Sequence, residues 1–216
     1  MGIQERKERE REELREKIIV AATDLFREEH YANISMRKIA QRIEYSVGTL
    51  YLYYKDKDEL FLAVQDAAFE QAFAYMGRLP HDADPIVRLE QLGERYIRFG
   101  LQNPDLYRLM FMMDNPMQAL EDQDKLGQWE CGIQLHGLLS SLVQECMEAG
   151  RLPAGDPVPM SFMLWAQVHG MVSLHVAHRT NIYSVHTELT YGREINIEEM
   201  LIEAYHLCVK LIASPR

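Results

Sequence analysis

Cysteine is scarce in this chain: three in 216 residues, Cys131, Cys146 and Cys208, odd in number and far apart. That excludes a disulfide framework and the paired spacing of a zinc site. What stays open is buried thiols in a reducing compartment, or a redox sensor. Long apolar runs are missing as well. Leu109-Met110-Phe111-Met112-Met113 is among the longest, far below the ~18 residues that would span a bilayer. The first residues carry Glu5-Arg6-Lys7-Glu8-Arg9-Glu10 where a secretory signal has an apolar segment, so the expected compartment is the cytoplasm. No stretch alternates apolar and polar residues as a half-buried strand does. Nucleophile elbow, phosphate-binding glycine loop and His-Glu-x-x-His are absent too, which removes the usual sequence support for an all-α enzyme.

Positive charge is in overall deficit, with a net charge of −10. The deficit is uneven. Residues 1–60 carry 12 basic and 13 acidic side chains, whereas residues 61–216 carry 11 and 20. Between Tyr31 and Lys57 the balance turns positive: Arg37, Lys38, Arg42, Lys55 and Lys57 against Glu44 and Asp56. Affinity for phosphates follows the local charge that faces them, so a small basic head on an acidic body is compatible with nucleic acid.

What is present is helical periodicity, with 47% hydrophobic residues to build a core. Leu14, Ile18, Ala21, Ala22, Leu25 and Phe26 recur at spacings of three and four, predicting a first helix that ends near His30-Tyr31. Asn33 or Ser35 can cap a second, with Met36, Ile39, Ala40 and Ile43 inward. Ser46 caps a third that reaches about Tyr53. Asp56, with Glu59 three residues on, opens a fourth running towards Gly77-Arg78-Leu79-Pro80. His81 to Pro85 is a loop. Helices follow near 85–102 and 103–113, then a long one from about Met117 to Ala149, closed by Gly150 with Pro153 beyond. Another opens at Asp156-Pro157 and ends near Arg179. Asn181 to Ile195 is expected to be irregular, and Asn196 caps a last helix that stops before Ser214-Pro215. The fold class is all-α. Two domains are expected, residues 1–60 and 61–216. The charged N-terminal run reads as a solvated helix extension with i,i+4 ion pairs or as a basic arm.

Residues 35–54 have the layout of a helix-turn-helix: small Ala40 inside the first helix, a sharp break, then a second helix with a packing and a reading face. Val47, Leu50 and Tyr54 are expected to pack inward, and Gly48, Thr49 and Tyr53 to face out beside Tyr45 and Ser46. Hydroxyls and helix N-terminal N–H groups can meet phosphate oxygens. Gly48 costs ~1 kcal/mol of helix propensity relative to alanine, as expected where a side chain would block close approach.

Ile39-Ala40, Ser46-Val47-Gly48-Thr49-Leu50-Tyr51-Leu52-Tyr53-Tyr54 and Lys57 resemble the DNA-binding motif of the TetR family of transcriptional regulators. The resemblance implies phosphate contacts at Ser46, Thr49, Tyr51, Tyr53 and Lys57. It places Tyr45, Val47 and Gly48 near bases, with Ser35, Met36 and Arg37 lining the start of the first motif helix. Two departures stand out: Glu44-Tyr45 where the family usually has Gly-Val, and Tyr54 for the usual Phe. Glu44 should point to solvent, because a carboxylate beside a phosphate is unfavourable.

Asn103-Pro104-Asp105-Leu106-Tyr107-Arg108-Leu109-Met110-Phe111 and Trp165-Ala166-Gln167-Val168-His169-Gly170 resemble the C-terminal domain of the subgroup named for a Trp-His-Gly signature. That likeness implies a small-molecule effector and a homodimer through about 158–179 and 196–213, with no cofactor. The expected regulator is a repressor on a pseudo-palindromic double-stranded DNA operator. Pocket candidates are Tyr96, Phe99, Tyr107, Met110, Phe111, Trp129, His136, Met163, Trp165, His169 and Met171. The same Met and aromatic residues at helical spacing also read as plain core. A metal sensor would draw on His169, His175 and His178, of which His175 and His178 would share a helix face, with no carboxylate or Cys to complete a set. An inert interaction bundle is the remaining alternative.

Overall fold

The computed structural model describes residues 2–29, 31–80, 84–113 and 129–213. These residues form ten α-helices and no strand: α1 Ile3–Glu28, α2 Met36–Arg42, α3 Val47–Leu50, α4 Lys57–Met76, α5 Pro85–Gln102, α6 Pro104–Phe111, α7 Glu130–Glu148, α8 Pro157–Val176, α9 Asn181–Tyr191 and α10 Ile197–Ile212. A 3-10 turn, Tyr31–Asn33, joins α1 to the loop before α2. The stretch 117–128 of the expected long helix lies outside the described residues, and its remainder is α7.

The chain divides into two compact units, Met1–Phe69 with Asp105–Trp129, and Glu70–Pro104 with Glu130–Arg216. The expected boundary after residue 60 therefore falls elsewhere, inside α4. No linker chemistry interrupts α4 at that point, and Phe61, Val64 and Leu109 belong to the same apolar core as Ile18, Ile39 and Leu50. In this first unit α1 packs on α2 and α2 on α3. Leu14, Ile18, Ala21, Ala22 and Leu25 form the buried stripe of α1, and each large side chain so buried contributes roughly 1.5–3 kcal/mol. The N-terminal run is the solvated extension of α1, paired as Arg6–Glu10 at 2.8 Å and Arg9–Glu13 at 3.5 Å.

In the second unit α5 lies against α7, α8 and α10. Asp84 caps α5 by accepting from Ile86 N–H at 3.1 Å, with Pro85 following. Gly150, at φ 66°, ends α7 as expected: Arg151 N–H reaches Cys146 O at 2.8 Å and Gly150 N–H reaches Met147 O at 3.0 Å. Asn196 caps α10 through Glu198 N–H at 3.0 Å.

Two expectations fail here. The segment expected to be irregular is largely helix α9, closed by Gly192 at φ 62°. Its Asn, Ser, Thr and β-branched residues have low helix propensity, and Thr187 is its buried residue while Ile182, Tyr183, Val185 and Leu189 are exposed. With apolar residues turned outward, the usual inward stripe was missing. Helix α3 is also shorter than expected, ending at Leu50 and continuing to Tyr53 as turns.

Candidate nucleic-acid interface

Ser35 starts α2 by accepting from Lys38 N–H at 3.3 Å, and Met36, Ile39 and Ala40 enter the core. The end of α2 makes the break of the motif. Tyr45 N–H bonds to Ala40 O at 3.0 Å and Glu44 N–H to Gln41 O at 3.2 Å, a Schellman closure whose left-handed residue is Glu44 at φ 61°. Glycine adopts that conformation freely; an L side chain costs roughly 1–2 kcal/mol there. Glu44 is exposed, as expected for a carboxylate kept off phosphates.

Ser46 caps α3: its Oγ accepts from Thr49 N–H at 3.1 Å and sits 2.9 Å from Thr49 Oγ1. Leu50 is the buried anchor of α3. Tyr45, Val47 and Tyr51 stand outward at 44%, 39% and 53% exposure. Val47 therefore does not pack inward with Leu50, although its position is open to a base edge. Tyr53 is half-buried against the core rather than fully outward, while Tyr54 is buried and its hydroxyl accepts from Arg15 Nε at 3.4 Å. That bond gives the Tyr-for-Phe departure a partner.

Two expected contact residues sit otherwise than the motif suggested. Met36 is buried at 6% exposure and leaves the candidate surface. Lys57 folds back: its Nζ donates to Tyr31 O at 3.1 Å and Ile34 O at 3.3 Å, and lies 3.9 Å from the Tyr31 ring centroid. The Tyr31 hydroxyl donates to Asp58. Burial and the adjacent carboxylate hold that phenol well above its ordinary pKa. Lys38 pairs with Glu29 at 2.6 Å, and Arg42 forks onto Glu28 at 2.7 and 2.9 Å. Of the motif's five basic residues, Lys38 and Arg42 are held in ion pairs and Lys57 by two carbonyls, which leaves Arg37 and Lys55 as the two without a side-chain partner among the described residues.

The effector candidates divide between the units. In the second, Trp165 Nε1 donates to Tyr96 Oη at 3.3 Å, Tyr96 Oη lies 3.4 Å from His169 Nδ1, and Ser173 Oγ lies 3.3 Å from His169 Nε2. The Trp165 ring stands 5.0 Å from His136 and 5.3 Å from His169. Burial lowers the pKa of both histidines and favours neutral imidazole. Phe99 is buried beside Tyr75, Met171 is half-buried, and Met163 is 38% exposed. In the first unit Tyr107, Phe111, Phe69 and Trp129 form a chain of rings with centroids 4.8, 5.3 and 4.7 Å apart, and Met110 is buried. His178 stands beyond α8 at φ 58°, off the helix face expected to carry it with His175, and His175 Nδ1 lies 3.0 Å from Thr180 Oγ1. No group of three or more metal-ligating side chains is assembled among the described residues.

A family model described as bacterial regulatory proteins, tetR family, matches residues 18–64, and one described as tetracyclin repressor-like, C-terminal domain, matches residues 89–196. The second alone spans half of the chain. The chain belongs to the TetR family. One similar curated protein is the HTH-type transcriptional repressor KstR of Rhodococcus jostii (strain RHA1), 29% identical over 112 residues, which are 50% of this chain and 52% of that one. This TetR-family chain thus spans about half the length of the curated relative in that match. Among solved structures, a TetR transcription regulator from Haloarcula marismortui ATCC 43049 is similar with a TM-score of 0.72 and 19% identity, covering 94% of this chain and 100% of that chain. The fatty acid degradation regulator FadR from Bacillus halodurans is similar with a TM-score of 0.65 and 17% identity, covering 90% and 93%. At such identities the likeness establishes the fold. No helix among the described residues is long and apolar enough to cross a membrane.

Sequence reasoning missed Gln65, Asp66 and Ser173. Gln65 is buried and donates to Leu109 O and Met110 O; Asp66 accepts from Trp129 Nε1 at 2.9 Å. The signal was available: Gln65 interrupts an i,i+4 stripe between Phe61 and Phe69.

Proposed function

We propose that this TetR-family protein is a transcriptional repressor that binds a pseudo-palindromic DNA operator as a homodimer and is released by a small apolar effector. Gly48 carries the DNA reading. Among the described residues a Cβ there would meet only Ser46 Oγ, at 3.6 Å, so none of them excludes a side chain. A helix glycine with no internal reason is explained by close approach of an outside surface. Tyr45, Val47 and Tyr51 flank it outward, suited to base edges and phosphates, with Ser35, Arg37, Ser46, Thr49 and Tyr53 around them. The curated relative's description as a repressor supports the direction of control.

The dimer reading is supported by exposed apolar residues on the two helices expected to pair: Val158, Phe162 and Leu174 on α8, and Leu207 and Leu211 on α10. An isologous pairing is the simplest way to hold two recognition helices ~34–36 Å apart. Membership of the Trp-His-Gly subgroup is supported by Trp165 and His169, one turn apart with tilted rings whose centroids are 5.3 Å apart. The switch is an equilibrium between two dimer arrangements. The effector shifts it only by binding the non-operator arrangement better.

Selection of bound sequences from a random DNA pool tests this reading. Two half-sites at about one helical turn, with binding that weakens steeply in salt, are expected. No enriched sequence, from a protein that stays monomeric at micromolar concentration, would reject it.

A further inference from the structure

We propose that the buried amide oxygen of Gln65 is the acceptor for a hydrogen-bond donor on the effector, which is accordingly an apolar molecule bearing a hydroxyl; this rests on the effector-release reading above. Gln65 has no exposed surface. Its Nε2 donates to Leu109 O at 3.4 Å and Met110 O at 3.1 Å, in the last turn of α6. Turning the amide over would set Oε1 against two carbonyl oxygens, so the hydrogen-bond network fixes its orientation. Oε1 then has no donor among the described residues. A buried carbonyl oxygen without a donor is rare in folded proteins and asks for an explanation.

The surroundings describe what would supply it. Phe61 and Phe69, one turn before and after Gln65 on α4, are buried on the same face. Phe69 continues into the rings of Phe111 and Trp129, both half-buried, so the cluster has an accessible side. Trp129 already donates to Asp66. Hydrocarbon suits the rings, a single O–H suits Oε1, and a carboxylate would meet the acceptor with the wrong sign. The same amide ties α4 to the last carbonyls of α6. A donor arriving at Oε1 polarises the Nε2–H groups and strengthens that tie, giving the effector a handle on α4.

The test uses the full chain and two isomers of equal size, 1-octanol and 1-methoxyheptane, titrated calorimetrically. The alcohol is expected to bind about tenfold or more tightly, because a site built around a hydrogen bond rejects the analogue that lacks it. Gln65→Met, with unchanged helical circular dichroism, should bring the ratio to about one. Equal affinities in the wild type, no binding of the alcohol, or a preference that survives Gln65→Met would each overturn the proposal. The wild-type pair decides alone if the variant does not fold. An operator-release assay with the same isomers separates the two readings. Equal release by both leaves the effector reading standing and removes Gln65 from it, whereas absence of operator binding removes both.

Discussion

The ring of Tyr205 fills the space a side chain on Gly93 would need: a Cβ there would stand 2.0 Å from Tyr205 Cε1 and 2.6 Å from its hydroxyl oxygen. Tyr205 is 2% exposed and its hydroxyl donates to Leu89 O at 3.0 Å, so α10 is pinned to α5 at this point. Gly93→Ala must push the ring off that bond. The expected cost is about 2–3 kcal/mol, and the fall in melting temperature roughly 5–10 °C. Tyr205→Phe, which loses only the hydrogen bond, should cost about 1 kcal/mol. Thermal melts of the two variants check the order; a neutral Gly93→Ala would mean that α5 and α10 do not meet in this way.

Glu44 holds the left-handed position that ends α2. Glu44→Gly relieves about 1–2 kcal/mol of backbone strain and adds about 0.5–1 kcal/mol of unfolded-chain entropy. A small net gain in stability is expected, read as a higher denaturant midpoint. The carboxylate leaves the motif at the same time, so operator affinity should rise at low salt. A loss of stability would place the strain elsewhere.

Arg42 forks onto Glu28, and the guanidinium holds the Glu28 carboxyl below its ordinary pKa. As long as Glu28 occupies it, Arg42 is a poor partner for phosphate. Glu28→Gln should free it, strengthening binding to random duplex more than to operator and steepening the salt dependence by roughly one unit of slope. An unchanged slope in a log–log salt titration would show that Arg42 does not reach DNA.

The motif was legible because its chemistry is local. Ser35 and Ser46 cap the helices they were expected to cap, and Ala40 and Leu50 pack where small and apolar residues must. Long-range competition was not legible. Lys57 looked like a phosphate contact from its position, yet two carbonyls 23 and 26 residues upstream reach it first. Gln65 and Leu109 lie 44 residues apart, and no spacing rule joins them. Helix α9 was missed since its apolar residues face outward, so the inward stripe that betrays a helix was absent.

His169 is held below its ordinary pKa by burial, with Tyr96 and Ser173 as neutral hydrogen-bond partners. An unfolded histidine takes up a proton first as the pH falls through about 6.5, so acidification favours the unfolded chain. The histidine contribution to stability should be constant above about pH 7.5 and decline from about 6.5 downward through the lowered folded value. His136, shifted the same way, adds to the decline. His169→Gln should flatten part of it. Denaturant midpoints at pH 7.5 and 5.5 measure the difference, and identical slopes for wild type and variant would refute the assignment.

Lys57 separates two roles that one substitution would otherwise blur. Its ammonium satisfies the carbonyls of Tyr31 and Ile34 and lies over the Tyr31 ring, tying the start of α4 to the loop ahead of α2. Lys57→Ala should therefore cost about 1–2 kcal/mol of stability, since charged hydrogen bonds are lost and two carbonyls lose a donor. It should also weaken operator binding, through misplacement of α2 and α3 and not through a missing phosphate contact. A lost phosphate contact lowers the salt slope by roughly one unit; a lost clamp leaves the slope unchanged. Reduced affinity at unchanged slope, with a lower melting temperature, is the expected pair of results. A slope reduced by one with an unchanged melting temperature would return Lys57 to the phosphate backbone.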